Sequence, residues 1–587
     1  MRIAITGAGI ISAIGVDKAS VLSSLQKGES GIGPMRHLTS NHTDLPVGEV
    51  KLSNDELKAH LGIASEALVS RTALLGIVAA QEAIADARLE AADGRRIVFI
   101  NGTTVAGMDV TEQFFGKAID DPAADCSFIA QHECGADTQA IADHFGIFNF
   151  STTISTACSS AANAIALGAR MLKAGDADIV VAGGTEALSI FHLNGFNSLM
   201  ILDHEPCRPF DKTRTGLNLG EGAAYVVMEG DNLANRRGIT PQAYVTGYSN
   251  ACDAFHQTAS SPNGEGAYLA MTDALGMAGL KPSDIQYVNA HGTGTPSNDT
   301  SESAAIRRVF GVNLPPVSST KSATGHTTSA SGSIETVICL LAMREGFIPA
   351  NIGWGTPDDE CIAPVAQVTP ARLDNIMCNS FGFGGNDTSL IISRVCTRLS
   401  RWTVRNSVRV AAVARIDSDA QLTDIKKYVT PMEARRMGKL IKAATITSLD
   451  ALHKAGIEVP DAIITATRFG CLAQTERLLL QLKEGGEGST SPTDFMQSTH
   501  NTIGSGIAIK LKCHGYNITY SNGPDSLTSA LNDAHMLIAT GRCKSVLVGL
   551  HDELTPHFAD MLTRAGLSVP NPLTSLAIVL VARPNVL

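Results

Sequence analysis

Residues 155–183 read STACSSAANAIALGARMLKAGDADIVVAG. A cysteine, Cys158, stands among small residues just ahead of a helix-like stretch at 160–173, which leads into a buried strand at 179–182. A further strand over 149–154 is expected to run into the turn, so Cys158 falls at a strand-to-helix junction. A thiol at a helix N-terminus sits in the positive end of the helix dipole, which favours the thiolate. Ser155, Ala157, Ser159 and Ala161 leave room for a thioester to approach. The competing reading is a buried, inert cysteine.

The same alternation extends outward. Residues 2–6, 97–100 and 224–228 read as buried strands, and 74–87 and 332–343 as helices with small and apolar faces. Strands alternating with helices predict a layered α/β fold. The N-terminal MRIAITGAGIISAIG reads as a buried strand and turn, broken by Thr6, Gly7 and Gly9. As a dinucleotide loop it fails, because Ser12 replaces the third glycine.

Residues 521–549, SNGPDSLTSALNDAHMLIATGRCKSVLVG, echo the opening stretch at an offset of 366. Residues 436–458 likewise echo 71–90. At that offset Cys158 falls on Pro524. The C-terminal segment therefore reads as a shortened copy of the first half without its cysteine. Between the two lies an arginine run, Arg394, Arg398, Arg401, Arg405 and Arg409, read as a solvated linker or as a contact for an acidic partner.

The chain has 587 residues, 44% hydrophobic and 18% charged, with a net charge of −11. That excludes disorder and makes nucleic-acid binding a poor expectation. The longest apolar runs, such as 576–582, fall far short of the roughly 18–20 residues of a membrane span. Its 12 cysteines are spread thinly with no CxxC pair, which argues against disulfides or zinc and predicts the cytoplasm.

Three further motifs carry chemistry. In VNAHGTGTPSNDTSES (288–303), His291 follows a strand expected at 285–289 and enters a Gly/Thr loop, where it can serve as donor or base. In SSTKSATGHTTSASGSIE (318–335), Lys321 and His326 precede a small-residue helix. In NSFGFGGNDTSLII (379–392), Gly382, Gly384 and Gly385 allow a turn whose N–H groups converge on one spot, as an oxyanion requires. Each histidine taken alone reads as structural. Cysteine, histidines and lysine become a site only if folding brings them together.

In this order, with RPFDKTRTGLNLGEGAA at 208–224, the motifs resemble the β-ketoacyl-acyl carrier protein synthases, decarboxylating condensing enzymes of thiolase fold. The resemblance covers residues 1–395, in halves of about 1–245 and 246–395. It implies a five-layered αβαβα core and a Cys158–His291–His326 site. Lys321 matches the lysine that supports the second histidine, and Glu302 the acidic residue after HGTGT. Phe383 matches the gating phenylalanine whose N–H joins that of Cys158 in the oxyanion hole. Asn298, Ser329 and Asn386-Asp387 depart from the family pattern. They touch no catalytic position, but they unsettle a housekeeping fatty-acid assignment.

Residues 396–409 form the linker in this reading. Residues 410–587 resemble the shortened, half-thiolase-like chain-length-factor partner of condensing enzymes in aryl-polyene and flexirubin-type pathways, with FMQSTHNTIGSGIAI (495–509) the most telling stretch. His500 is read as catalytically silent. The expectation is a decarboxylative condensation of acyl- with malonyl-carrier protein, the phosphopantetheine arm coming from the carrier protein and no metal or other cofactor needed. The second domain would dock as an intramolecular pseudo-dimer through its strand at 516–520, with a homodimer as the alternative. Residues near 495–504 would then limit product length. Fatty-acid elongation, a thiolase and an inactive carrier-binding scaffold are the rival readings.

Overall fold

The computed structural model describes residues 1–90, 94–398 and 404–584. Among the described residues, 15 strands form one sheet built from three five-stranded units that repeat a single order, and Phe347–Ile348 and Thr369–Pro370 pair as a separate two-stranded sheet. The first unit runs Phe150–Ile154, Ile97–Gly102, Ile179–Glu186, Gly222–Gly230, Ile3–Ser12. The second runs Val317–Ser318, Tyr287–Asn289, Asn375–Gly382, Asn386–Ser393, Ala243–Cys252, and joins the first through Ile3–Ser12. The third runs Tyr516–Tyr520, Ala462–Ala466, Ser545–Glu553, Leu573–Pro584, Asn406–Ile416. It begins inside the stretch read as linker.

The first two units stack with helices between and outside them. Arg71–Asp86 covers the outer face of the first sheet, and Glu265–Ala278 that of the second. Ser160–Ala174 and Ser331–Glu345 pack between the sheets and are buried almost all round. These are the five expected layers. A helix in the middle layer has no solvent face, which explains why both sequences are small and apolar rather than amphipathic.

One N-terminal expectation is corrected. Gly7 and Gly9 do not make a turn: the strand Ile3–Ser12 runs straight through them. A Cβ on Gly9 would lie 2.1 Å from the Ala79 carbonyl oxygen, and one on Gly7 2.5 Å from that of Ala83. The glycines let the helix Arg71–Asp86 approach the strand closely.

The repeat is kept in register. The helices after the two matched turns begin at Ser160 and Ser526, 366 residues apart. Phe150–Ile154 and Tyr516–Tyr520 lie antiparallel at the junction of the two copies, with Ile154 opposite Tyr520. The bonds are reciprocal: Ser155 N–H donates to the Thr519 carbonyl (2.9 Å), and Ser521 N–H to that of Thr153 (3.1 Å). Such an isologous contact is what a two-fold dimer makes. Here it lies within one chain.

Of the arginine run, Arg394 donates to the Leu373 carbonyl (3.1 Å) and Arg398 to that of Met277 (3.3 Å). Arg401 lies outside the described residues. Among the described residues no helix is long and apolar enough to cross a membrane.

Candidate active site

The strand Phe150–Ile154 delivers the chain to a buried turn, where Ala157 takes a left-handed φ of +52° just before Cys158. Ala157 lacks the glycine freedom that such a φ prefers, so the turn is held by its surroundings. Ser160 Oγ donates to the Ala157 carbonyl (2.6 Å), and the Thr156 N–H donates back to Ser160 Oγ (2.9 Å). The thiol so presented is buried.

The three motifs converge on it. Cys158 Sγ lies 3.1 Å from His326 Nε2, and His326 Nδ1 lies 3.1 Å from Ser331 Oγ. The ring of His291 stands edge-on to that of His326, centroids 5.3 Å apart. Its Nδ1 is buried, with no partner among the described residues. The ligand atoms of Cys158, His291 and His326 lie within 4.8 Å of one another. The spacing would admit a soft cation as well as a substrate.

Glu302 and Lys321 sit one step back. Glu302 accepts the N–H groups of His291 (2.9 Å) and Gly292 (2.8 Å), so it fixes the loop that carries the histidine. Lys321 forms an ion pair with Glu335 at 2.5 Å, both side chains almost fully buried. Its charge acts on the site through space: it helps to depress both histidines and opposes the rise of the thiol. Sequence reading missed Glu335. A lone carboxylate on the otherwise uncharged face of a buried helix was the available signal, since a buried charge needs a partner.

Burial sets the protonation states. It pushes the Cys158 thiol up to about 11, against the Lys321 charge and the backbone N–H groups of Phe383 and Cys158 itself. It also drives His291 and His326 well below the ordinary histidine range. The resting site is therefore a neutral thiol beside neutral imidazoles. This corrects the thiolate expected from the helix dipole, because desolvation outweighs a dipole that begins two residues later at Ser160.

Cys158 opens onto an apolar cavity lined by both copies. The first copy contributes Met108, Phe191 and Phe196, and the second Phe469, Phe495 and His500. Four rings link the copies: Phe383 stacks on Phe196 (5.8 Å), and Phe196 and Phe191 meet Phe495 edge-on (5.3 and 6.2 Å). The Phe495 ring lies so close over Gly195 that a Cβ there would be 2.2 Å from it. Of the departures, the Asn298 side chain donates to its neighbour Asp299 (3.1 Å), and Ser329 donates to Glu186 (2.6 Å).

Residues 1–234 and 409–585 each match the family description "Beta-ketoacyl synthase, N-terminal domain", and residues 242–354 match its C-terminal domain. The 3-oxoacyl-[acyl-carrier-protein] synthase 2 of Staphylococcus aureus (strain N315) is 34% identical over 408 residues, covering 67% of this chain and 98% of that protein. The ishigamide ketosynthase/chain length factor structure is 31% identical, with a TM-score of 0.64 over 67% of this chain and 99% of its own. The PfaC keto synthase-chain length factor, 17% identical, matches the fold of 99% of this chain and 78% of its own at a TM-score of 0.80.

Proposed function

The chain belongs to the β-ketoacyl synthase family, and from that premise we infer that it condenses an acyl-carrier protein with malonyl-carrier protein to give a 3-oxoacyl-carrier protein. The observation that carries this reading is the Cys158–His326 contact at 3.1 Å, with a second histidine beside it and an apolar cavity in front.

Acyl transfer comes first. Cys158 attacks the thioester carbonyl as His326 Nε2 takes the thiol proton, and the oxyanion is held by the N–H groups of Cys158 and Phe383. The carrier thiolate leaves and recovers the proton. Malonyl-carrier protein then loses carbon dioxide, and the electrons of the broken C–C bond form an enolate. His291 and His326 donate to its oxygen. The Ser331 hydroxyl can donate or accept, so it supports His326 both as acceptor for the thiol and as donor to the enolate. The enolate carbon attacks the Cys158 thioester, and the sulfur leaves as a thiolate that takes a proton from solvent to restore the resting thiol. Losing one such donor typically costs ~10²–10³ in rate.

The scheme needs no metal or organic cofactor of its own, and the partner is an acyl carrier protein. The second copy, with Pro524 where the nucleophile would be, acts as chain-length factor through Phe495 and its neighbours, residues 1–395 and the third unit from Asn406 onward being the two working units. All 12 cysteines are buried and free, in keeping with work in the cytosol. The ring-lined cavity supports a planar, unsaturated acyl chain of the aryl-polyene type over a saturated one.

The test offers saturated, polyenoyl and aryl-polyenoyl carrier proteins with malonyl-carrier protein. Loading on Cys158, carbon dioxide release and a 3-oxoacyl product are expected, and Cys158→Ala abolishes them. Preference for saturated chains would move the protein to fatty-acid elongation. No acyl adduct on the wild type would refute the reading.

A further inference from the structure

We propose that Asn501, on the copy without the nucleophile, is a positioning residue for the oxyanion turn of the other copy. The proposal rests on the condensing role inferred above and concerns how its site is held.

The turn Phe383–Gly385 does not hold itself. Gly384 and Gly385 take left-handed φ values of +83° and +75° in succession, and glycine moves between such states at little cost. Yet the Phe383 N–H must stay aimed at the sulfur. The peptide joining Phe383 to Gly384 is gripped at both ends. Its N–H donates to the Gln257 carbonyl at 2.7 Å. Its carbonyl accepts from Asn501 Nδ2 at 2.8 Å.

The same Nδ2 donates to Asn386 Oδ1 at 2.7 Å, and Asn386 Nδ2 donates to the Asn517 carbonyl at 3.0 Å. One side-chain amide thus ties both ends of the turn to the second copy. Asn386 is one of the departures from the family pattern, and this contact gives it a purpose. The direction of each amide follows from its partners, since both Asn501 contacts are acceptors. Asn501 Oδ1 is left buried, with no partner among the described residues. The amide is placed to serve the turn rather than its own half.

The fit is close. A Cβ on Gly384 would meet Ser505 at 2.7 Å and Asn501 Nδ2 at 2.9 Å, so the second copy sits flush on the turn. Asn501 itself is buried, and water does not replace its bonds if they are lost.

The test uses full-length Asn501→Leu with hexanoyl-carrier protein, following acyl loading of Cys158 by intact mass. Alkylation by iodoacetamide runs in parallel, because that reaction needs the thiol but no oxyanion hole. Loading is expected to fall ~10²-fold or more while the alkylation rate holds. Asn386→Thr, which keeps the Asn501–Phe383 bond, is expected to lose less. Wild-type loading in Asn501→Leu overturns the proposal. So does a parallel fall in loading and alkylation, which would make Asn501 a packing group. Should Asn501→Leu fail to fold, Asn501→Ala takes the same readouts. A wild type that loads neither the hexanoyl nor the polyenoyl nor the aryl-polyenoyl carrier protein refutes the condensing reading instead, so the two failures are told apart.

Discussion

Cys134 and His500 occupy matched positions in the two copies, 366 residues apart, and meet across the pseudo-two-fold with Sγ 3.8 Å from His500 Nε2. Each therefore marks the axis. His500 also faces the acyl cavity, where burial pulls its imidazole down to about 4. The axis thus runs beside the cavity, which is why a partner with no nucleophile can still form its wall.

The raised thiol of Cys158 gives a pH signature. A thiol displaced to about 11 by burial is protonated throughout the neutral range. Its alkylation rate by iodoacetamide is expected to keep climbing past pH 9 without a plateau. A plateau below pH 8 would mean a stabilised thiolate instead. Acyl loading, in which His326 removes the proton, is expected to stay flat from pH 7 to 8.5.

The Lys321–Glu335 pair is buried on both sides. Removing one partner leaves an uncompensated charge, at a cost of about 3–5 kcal/mol. Glu335→Leu is expected to lose stability of that order in urea unfolding. The double variant Lys321→Met/Glu335→Leu should recover most of it while remaining slow in condensation. A double variant as unstable as the single one would contradict this.

A second buried pair ties the copies together. Arg170 Nη2 donates to Asp533 Oδ1 at 2.8 Å, and Tyr516 and Tyr520 donate to its other oxygen at 2.7 and 2.9 Å. Asp533→Ala strands the Arg170 guanidinium between the copies. It is expected to open the junction to limited proteolysis and to destabilise the chain by about 3–5 kcal/mol. Wild-type protease resistance would show that the sheet junction holds alone.

Much of this was legible before any coordinates. The offset of 366 put Pro524 where Cys158 stands, and the family resemblance implied that Tyr516–Tyr520 docks on the strand ahead of the nucleophile, as it does. The ordered motifs brought Cys158, His291 and His326 together. What was not legible depended on burial and three-dimensional neighbours. Gly7 and Gly9 looked like a turn because nothing local reveals a helix packed against them. The protonation of Cys158 followed from desolvation, which a motif does not encode. Glu335 gained its meaning only from Lys321 across a turn. Asn386 read as a neutral departure because its partners, Asn501 and Asn517, lie more than a hundred residues away.

The most direct test of the second copy as the wall of the acyl pocket is the product length made by Phe495 variants. Phe495 lies 5.3 Å from Phe196 across the junction and far from the reacting sulfur in sequence. With carrier-bound products read by mass spectrometry, Phe495→Ala is expected to lengthen the chain by at least one two-carbon unit, and Phe495→Trp to shorten it. The initial condensation should continue in both. An unchanged product distribution in both variants would contradict the assignment of chain length to this half.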